Sequence, residues 1–414
     1  MNVLERAESL LDAGSSGNMN FTVIAGYRGC LEVAALRRAL SALQEQHLLL
    51  RSTLIWEDNH CQFAETASGV PLQRLPWLGD RDPSLASQAW KPAATADLRQ
   101  RFVGGGEPLW RITWLAGGDG GQLLFTFHHA IADGLSAMAL VQQLFVLLAA
   151  GATSSSPGRL PHWDGHTPEL GSTFASERYG AGEVTALADR QDVGLSTSYG
   201  LEELSAEASA AVLAWTRQRG LRLNATLHAA FLQALVADGV LPAQTTATTV
   251  VNLRNLADPP LPWDLMRLLR VCVDSPVTVD PEAPLDFLAA ELHRVLQEQL
   301  VAGAPLQALN TIAAAVQDRP TPRQLWQRSW RRGSLITNLG RVPVQPHHGP
   351  LELDRLFFVA NVEPVVLPDQ PLAVLGALSF CERLSLTCFH IEQQLNDARA
   401  AAVLADTKRR LMAI

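Results

Sequence analysis

The chain has 414 residues, 47% of them hydrophobic and 18% charged, and a formal net charge of −8. That length holds ample core for a globular protein of two domains, and the acidic balance gives no generic attraction to nucleic acid or anionic lipid. No run of about 18 uninterrupted apolar residues is present to span a bilayer, and MNVLERAESLLDAG is an acidic amphipathic start, not a signal peptide. The expected location is cytoplasmic, with Cys30, Cys61, Cys272, Cys381 and Cys388 as free thiols.

FTVIAGY, Phe21 to Tyr27, reads as a first strand and leads through Gly29 into a helix from Val33 to His47. That helix carries Ala35, Leu36, Ala39, Leu40 and Leu43 on one face. HLLLRSTLIWED is then a helix end running into a second strand, with His47 as a cation suited to the helix C-terminus. Asn59 to Phe63 is a hairpin return, and Pro71 to Ser87 reads as loop. RITWL, Arg111 to Leu115, alternates as a strand, and Gly117 to Gly121 forms the turn into the next one. GGDGG lacks a following Lys-Ser/Thr and helix, so it is a turn and not a phosphate loop.

Leu123 to Phe127 is a buried strand that stops at His128-His129. After three small apolar residues come Asp133-Gly134 and an apolar helical series: Leu135, Met138, Leu144, Phe145 and Leu148. Asp133 stands at the helix N-cap, where a carboxylate accepts from unpaired backbone N–H groups. The helix ends near Gly151, and residues 151–173 shift to Ser, Gly, Pro and His, as a linker does. The expected domains are therefore 1–172 and 173–414.

In the second half Ser205 to Gly220 is a helix, and ATLHAAFLQALVADG is a buried one. ATTVVNLRNL is a strand to Leu253, ending in Arg254. Pro281 to Ala302 and Pro305 to Gln317 are helices, and Arg323, Trp326, Arg328, Trp330, Arg331 and Arg332 form a basic and aromatic run. SLITNLGRVPV closes on Asn338-Leu339-Gly340-Arg341; FFVANV, PLAVLGALSF and LSLTCFHI are strands; a helix from Asp397 ends the chain. Cys381, Cys388 and His390 match no zinc spacing, and strand alternation accounts for them, so no metal is expected.

The pattern H-H-x-x-x-D-G at 128–134 resembles the active-site motif of the chloramphenicol-acetyltransferase-like superfamily, which includes condensation domains, polyketide-associated acyltransferases and alcohol acyltransferases. His47, Leu50, Arg51 and Ser52, the VNLR strand end and the late NLG are similar to that superfamily as well. The plant members' late Asp-Phe-Gly-Trp motif is absent, which points to the bacterial, discrete acyltransferase or condensation-like branches. The resemblance implies an α/β protein of two chloramphenicol-acetyltransferase-like domains with mixed sheets and a substrate tunnel at their interface. It also implies an acyltransferase that uses a coenzyme A or phosphopantetheine thioester as co-substrate, with no bound cofactor. The acyl group passes from coenzyme A, or from an acyl or peptidyl carrier protein, to an alcohol or amine acceptor. The alternative is a catalytically silent scaffold that binds a carrier protein or acyl chain.

His129 is the expected general base, since a neutral imidazole near pH 7 can take the acceptor's proton. No G-x-S-x-G elbow is present, and an activated thioester needs no covalent enzyme intermediate. His128 faces the other side of the strand and packs beneath the substrate site. Asp133 has two readings: a triad partner that polarises the imidazole, or, as the superfamily implies, a structural carboxylate paired with an arginine, for which Arg254 is available. Gly134 leaves space for pantetheine or acceptor. Asn338 donates toward a developing oxyanion or positions substrate, or is only a turn residue. Arg328, Arg331 and Arg332 grip coenzyme A phosphates or an acidic carrier protein, or are the solvated face of a helix with Leu325 and Trp326 or Trp330 turned inward.

Overall fold

The computed structural model describes residues 1–13, 19–57, 60–77, 90–102, 106–151, 174–178, 194–329, 333–363 and 371–414. Two six-stranded sheets and one three-stranded sheet carry ten helices among these residues. The first sheet runs β12 (His347–His348), β13 (Leu351–Ala360), β1 (Asn20–Arg28), β6 (Gly120–His128), β5 (Trp110–Ala116), β4 (Leu72–Pro76). The second runs β10 (Arg270–Thr278), β9 (Gln244–Asn252), β11 (Gly333–Arg341), β14 (Leu372–Phe380), β15 (Arg383–Ile391), β8 (Thr197–Glu203). The small sheet is β2 (Ser52–Glu57), β3 (His60–Glu65) and β7 (Phe174–Arg178). Both large sheets mix parallel and antiparallel pairs: β4 runs parallel to β5, and β11 parallel to β9 and β14. The two mixed-sheet α/β domains are those the sequence pattern implies.

The helices are α1 (Val3–Ala13), α2 (Val33–Gln46), α3 (Trp90–Arg99), α4 (Gly134–Ala149), α5 (Ala206–Gln218), α6 (Leu223–Ala237), α7 (Leu285–Val301), α8 (Ala304–Gln317), α9 (Pro322–Ser329) and α10 (Asp397–Met412). β6 is apolar on both faces and sits between β1 and β5, so it reads as an unbroken hydrophobic run and not as an alternation. α6 is buried from Ala225 to Leu235, which explains its nearly uniform apolar sequence. No single helix among the described residues is long and apolar enough to cross a membrane.

Several elements differ from the sequence reading. Leu72–Pro76 is an edge strand and not loop; parallel edge pairing to β5 tolerates a proline at its end. α3 carries Pro92 in its first turn, where a missing N–H is harmless, so the proline conceals the helix. β10 begins at Arg270 in a stretch assigned no element from sequence. His47 is buried, its Nε2 lies 2.6 Å from Gln143 Oε1 on α4, and burial lowers its pKa. It is therefore a neutral tie between α2 and α4, and not a helix-end cation. Residues 152–173, expected to be the linker, lie outside the described ones.

The division into halves is not strictly sequential. β13 comes late in the chain but inserts into the first sheet, antiparallel to β1 from Phe21↔Ala360 to Arg28↔Glu352. Its Phe357 meets Trp90 of α3 edge-on, ring centroids 4.8 Å apart. Phe357→Ala should thus cost about 3–5 kcal/mol, as large core truncations do. Urea unfolding followed by tryptophan fluorescence measures it; an unshifted midpoint would mean that this crossover strand adds little to the first domain.

Candidate active site

Strand β6 delivers His128 as its last residue, and His129 stands in the turn that follows. The turn is fixed by backbone bonds: His128 N–H to Leu109 O, 2.9 Å, His129 N–H to Met19 O, 2.8 Å, and Ile131 N–H to His128 O, 3.1 Å. His129 Nδ1 lies 3.0 Å from the carbonyl of Ala132. A carbonyl only accepts, so Nδ1 holds the proton and Nε2 keeps its lone pair. The ring stacks on Phe21, centroids 4.4 Å apart at 25°. Burial, with Arg270 nearby, holds its pKa well below the ordinary 6.5, although the Ala132 bond works the other way. The result is a neutral imidazole with a defined tautomer on a cavity wall.

His128 is 0% exposed and faces away from that cavity. Its Nδ1 accepts from Ala130 N–H at 3.0 Å, and its Nε2 stands 3.4 Å from Asp12 Oδ2 at the end of α1. Burial alone would raise the pKa of Asp12, but His128 and Arg101 hold it below its usual range. His128 thus braces the turn from behind and is absent from the cavity lining, as expected of a residue on the strand's opposite face.

Asp133 is the N-cap of α4, its Oδ1 accepting from Ser136 N–H at 3.0 Å. Arg254 reaches the same carboxylate from the second half in a bidentate pair, Nη1 to Oδ2 at 2.6 Å and Nη2 to Oδ1 at 3.1 Å. Leu269 N–H donates to Oδ2 as well, at 3.0 Å. Arg254 Nη2 also donates to Ser136 Oγ and to Leu265 O, both at 2.9 Å. Of the two readings of Asp133, the carboxylate therefore follows the arginine pairing, and its oxygens are committed away from His129. Arg254 is 1% exposed and held within this knot, so it ties the two halves together. β9 ends at Asn252, and Arg254 opens a short 3-10 turn that points the guanidinium at α4.

Gly134 is also tied to the other half. A Cβ there would stand 2.7 Å and 3.0 Å from the two methyl carbons of Leu339. A side chain of β11 thus packs where that Cβ would stand, and Gly134 and Leu339 line the cavity together. Asn338 lies on β11 beside a register shift rather than in a turn, and its Oδ1 accepts from Gly340 N–H at 2.9 Å, with Gly340 at φ +67°. Asn338 lines the cavity, and with Oδ1 engaged it offers a ligand the Nδ2 donors.

The cavity measures about 810 Å³ and takes its walls from both large sheets and from α1, α8 and α9. Sequence reasoning passed over two of its charged residues, Glu8 on α1 and Arg270 on β10, which pair at 3.0 Å. The signal for Arg270 was the alternating run RVCVDS, which opens a strand. Of the basic run, Leu325 and Trp326 are buried, with Trp326 Nε1 donating to Leu11 O at 2.9 Å, while Arg323 is exposed. The side chain of Arg328, and Arg331 and Arg332 altogether, lie outside the described residues. Cys381 is exposed in a turn and Cys388 is buried in the second core. Among the described residues no three His, Cys, Asp or Glu side chains are grouped to hold a metal ion.

Comparison with known proteins follows this geometry. The condensation-domain family model matches residues 8–162, that of the wax ester synthase/diacylglycerol acyltransferase catalytic domain 91–256, and that of the phthiocerol/phthiodiolone dimycocerosyl transferase C-terminus 196–389. Cyclosporin synthetase simA of Tolypocladium inflatum is 33% identical over 32% of the chain, and a probable non-canonical nonribosomal peptide synthetase of Salinispora arenicola is 30% identical over 36%. The matched segments span only 1% and 2% of those much longer proteins. Among solved structures, polyketide synthase associated protein 5 from Mycobacterium tuberculosis superposes with a TM-score of 0.67 at 18% identity, covering 98% of this chain and 95% of its own. TRI3 trichothecene 15-O-acetyltransferase from Fusarium sporotrichioides gives 0.69 at 13% identity, covering 100% and 94%. A starter condensation domain of rhizomide synthetase, solved with C8-CoA and Leu-SNAC, gives 0.66 at 15% identity, covering 100% and 93%. At such identities the structures show a shared fold.

Removing either partner of the Asp133–Arg254 pair strands a buried charge, which costs about 3–5 kcal/mol. Asp133→Ala and Arg254→Ala should each lower unfolding free energy by that order, and the double variant should lose less than the sum. A coupling below about 0.5 kcal/mol in this cycle would show that the pair does not hold the halves together.

Proposed function

We propose, for a chain that belongs to the chloramphenicol-acetyltransferase-like superfamily of acyltransferases and condensation domains, that it moves an acyl group from a thioester to an alcohol or amine, with His129 as general base. The observation that carries this reading is the Ala132 carbonyl on Nδ1, which leaves Nε2 as a lone-pair acceptor in a cavity that both halves build. In the reaction the acceptor's O–H or N–H gives its proton to Nε2 as the nucleophile attacks the thioester carbonyl. The tetrahedral intermediate collapses, the C–S bond breaks, and the imidazolium returns the proton to the leaving thiolate. A base of this kind contributes roughly 10²- to 10⁴-fold in rate, and alignment of the two substrates in the cavity supplies the remainder.

Asp133 and Arg254 serve the reaction indirectly, by fixing the N-terminus of α4 directly after the turn that bears His129. Asn338 is the candidate donor to the oxyanion or to a bound substrate. The donor is a coenzyme A or carrier-protein thioester; the rhizomide starter domain solved with C8-CoA supports the coenzyme A choice by its shared fold. The arginines at 328, 331 and 332 remain proposed contacts for the donor's phosphates or an acidic carrier. Such a contact predicts a donor KM that rises with salt, because exposed charge is screened.

His129→Ala should remove at least 99% of transfer while leaving the melting temperature within a few degrees of wild type, a loss in line with the general-base range. Transfer within threefold of wild type would exclude His129 as the base, whereas a wild type that transfers with no donor at all would favour a silent scaffold. The pH profile gives a second check. Because the pKa of His129 is depressed, its neutral form already dominates at pH 6.5. The profile of kcat/KM should be flat from there upward and fall only as pH drops through the lowered value. An acid limb centred at 6.5 or above would contradict it.

A further inference from the structure

We propose that Arg270, on the cavity wall, recognises a carboxylate carried by the acyl acceptor; the inference rests on the acyl-transfer reading above. Two arginines line the cavity among its described residues, and they differ in what they can offer. Arg254 is closed off: both Nη atoms are taken by Asp133, Ser136 and backbone carbonyls. Arg270 has a side chain 24% exposed, and its Nη2 meets Glu8 Oε1 at 3.0 Å. A guanidinium carries five N–H donors in a planar fork, so the contacts with Glu8 and with the Cys272 side chain leave N–H groups for a further partner.

The surroundings give that cation weight. Leu4, Leu11, Val271 and Val273 are among its neighbours on the wall, and charge-assisted hydrogen bonds are strengthened in such apolar walls. Glu8 belongs to α1 and approaches from the other half of the molecule, and its Oε2 has no hydrogen-bond partner among the described residues. The charges of Glu8 and Asp133 both act on Arg270, so a further anion seated there must carry little charge, and a monoanion fits better than a dianion. A phosphate dianion would meet the Glu8 charge with a single guanidinium to offset both, which disfavours it.

Position favours the acceptor over the donor. Arg270 and His129 line the same cavity, and the charge of Arg270 adds to burial in disfavouring the protonated imidazole. A group seated on Arg270 is therefore close to the base, where the attacking hydroxyl or amine must lie, whereas coenzyme A phosphates lie a pantetheine arm away from the thioester. A bound carboxylate would also offset the effect of Arg270 on His129 and make the imidazole a stronger base once the acceptor is seated. The acceptor class is thus a hydroxy acid or an amino acid.

The test compares kcat/KM for hydroxy or amino acids with that for their methyl esters, using one acyl-coenzyme A, in the wild type, Arg270→Gln and Glu8→Gln. The wild type should prefer the free acids by about tenfold or more, the range of a hydrogen bond to a charged group. Arg270→Gln should bring the ratio to one or below. Glu8→Gln should raise it, because the competing carboxylate is gone. An ion pair that merely supports the wall predicts that both variants lower all acceptors alike with the ratio unchanged, and that result overturns the proposal. Butyryl- and succinyl-coenzyme A, compared with one neutral acceptor, separate the sources: a preference for succinyl that Arg270→Gln abolishes would assign the carboxylate to the donor and overturn it too. Should Arg270→Gln fail to fold by thermal melt, the direction of the Glu8→Gln change decides alone. A wild type that acylates acids and esters equally refutes this inference and leaves acyl transfer standing. One that acylates nothing with any donor removes both.

Discussion

A buried carboxylate and guanidinium, Asp133 and Arg254, hold the rest of the site in place. The pair spans the two halves of the chain, and each side carries further contacts. Asp133 caps α4 and receives Leu269 N–H, while Arg254 reaches Ser136 and the carbonyl of Leu265. Desolvating two charges is costly and is offset only where the hydrogen bonds are nearly complete. Here both carboxylate oxygens and both Nη atoms are engaged, through a capping residue, a hydroxyl and backbone groups, and Nε of Arg254 is left without a partner among the described residues. The motif's aspartate therefore acts on the turn that bears His129 through the helix that starts beside it, and not through the imidazole.

The N-terminal helix is a second tie across the same boundary. Its Glu5, Glu8 and Asp12 meet Arg267, Arg270 and His128 in turn. Spacings of three and four residues place these carboxylates along one side of a helix. Glu5 is the most complete of them, with both oxygens on Arg267 at 2.6 and 2.9 Å. Arg267 N–H in turn donates to Ser136 Oγ, so α1 joins the knot around Asp133. The same helix supplies part of the cavity wall, and Asp12 reaches the back of the histidine turn through His128. One acidic helix thus couples cavity shape to the placement of the base.

Around His129 the lowering influences outweigh the Ala132 hydrogen bond, which acts the other way. Burial and the charge of Arg270 both disfavour the imidazolium, and the Ala132 carbonyl fixes which nitrogen keeps the lone pair. A neutral base aimed at an enclosed volume suits proton abstraction from a nucleophile. A group so adjusted is more informative about chemistry than the cavity alone, since perturbed titration concentrates at functional sites.

The site's local chemistry was legible in sequence because it is local. A strand, two histidines, an N-cap aspartate and a following helix lie within 30 residues and obey short-range rules of periodicity and capping. The sequence by itself determined those, together with the mixed α/β character and the helices whose apolar faces are unbroken. It left Asp133 between two partners, and it could not place Gly134 against Leu339, β13 in the first sheet, or Glu8 beside Arg270. Each of those is a contact between residues far apart in the chain, where no periodicity survives and where burial, not residue type, selects the partner. Only the tertiary structure decided them, because a charge or a void in the interior is resolved by whichever side chain the packed chain brings within a few ångströms.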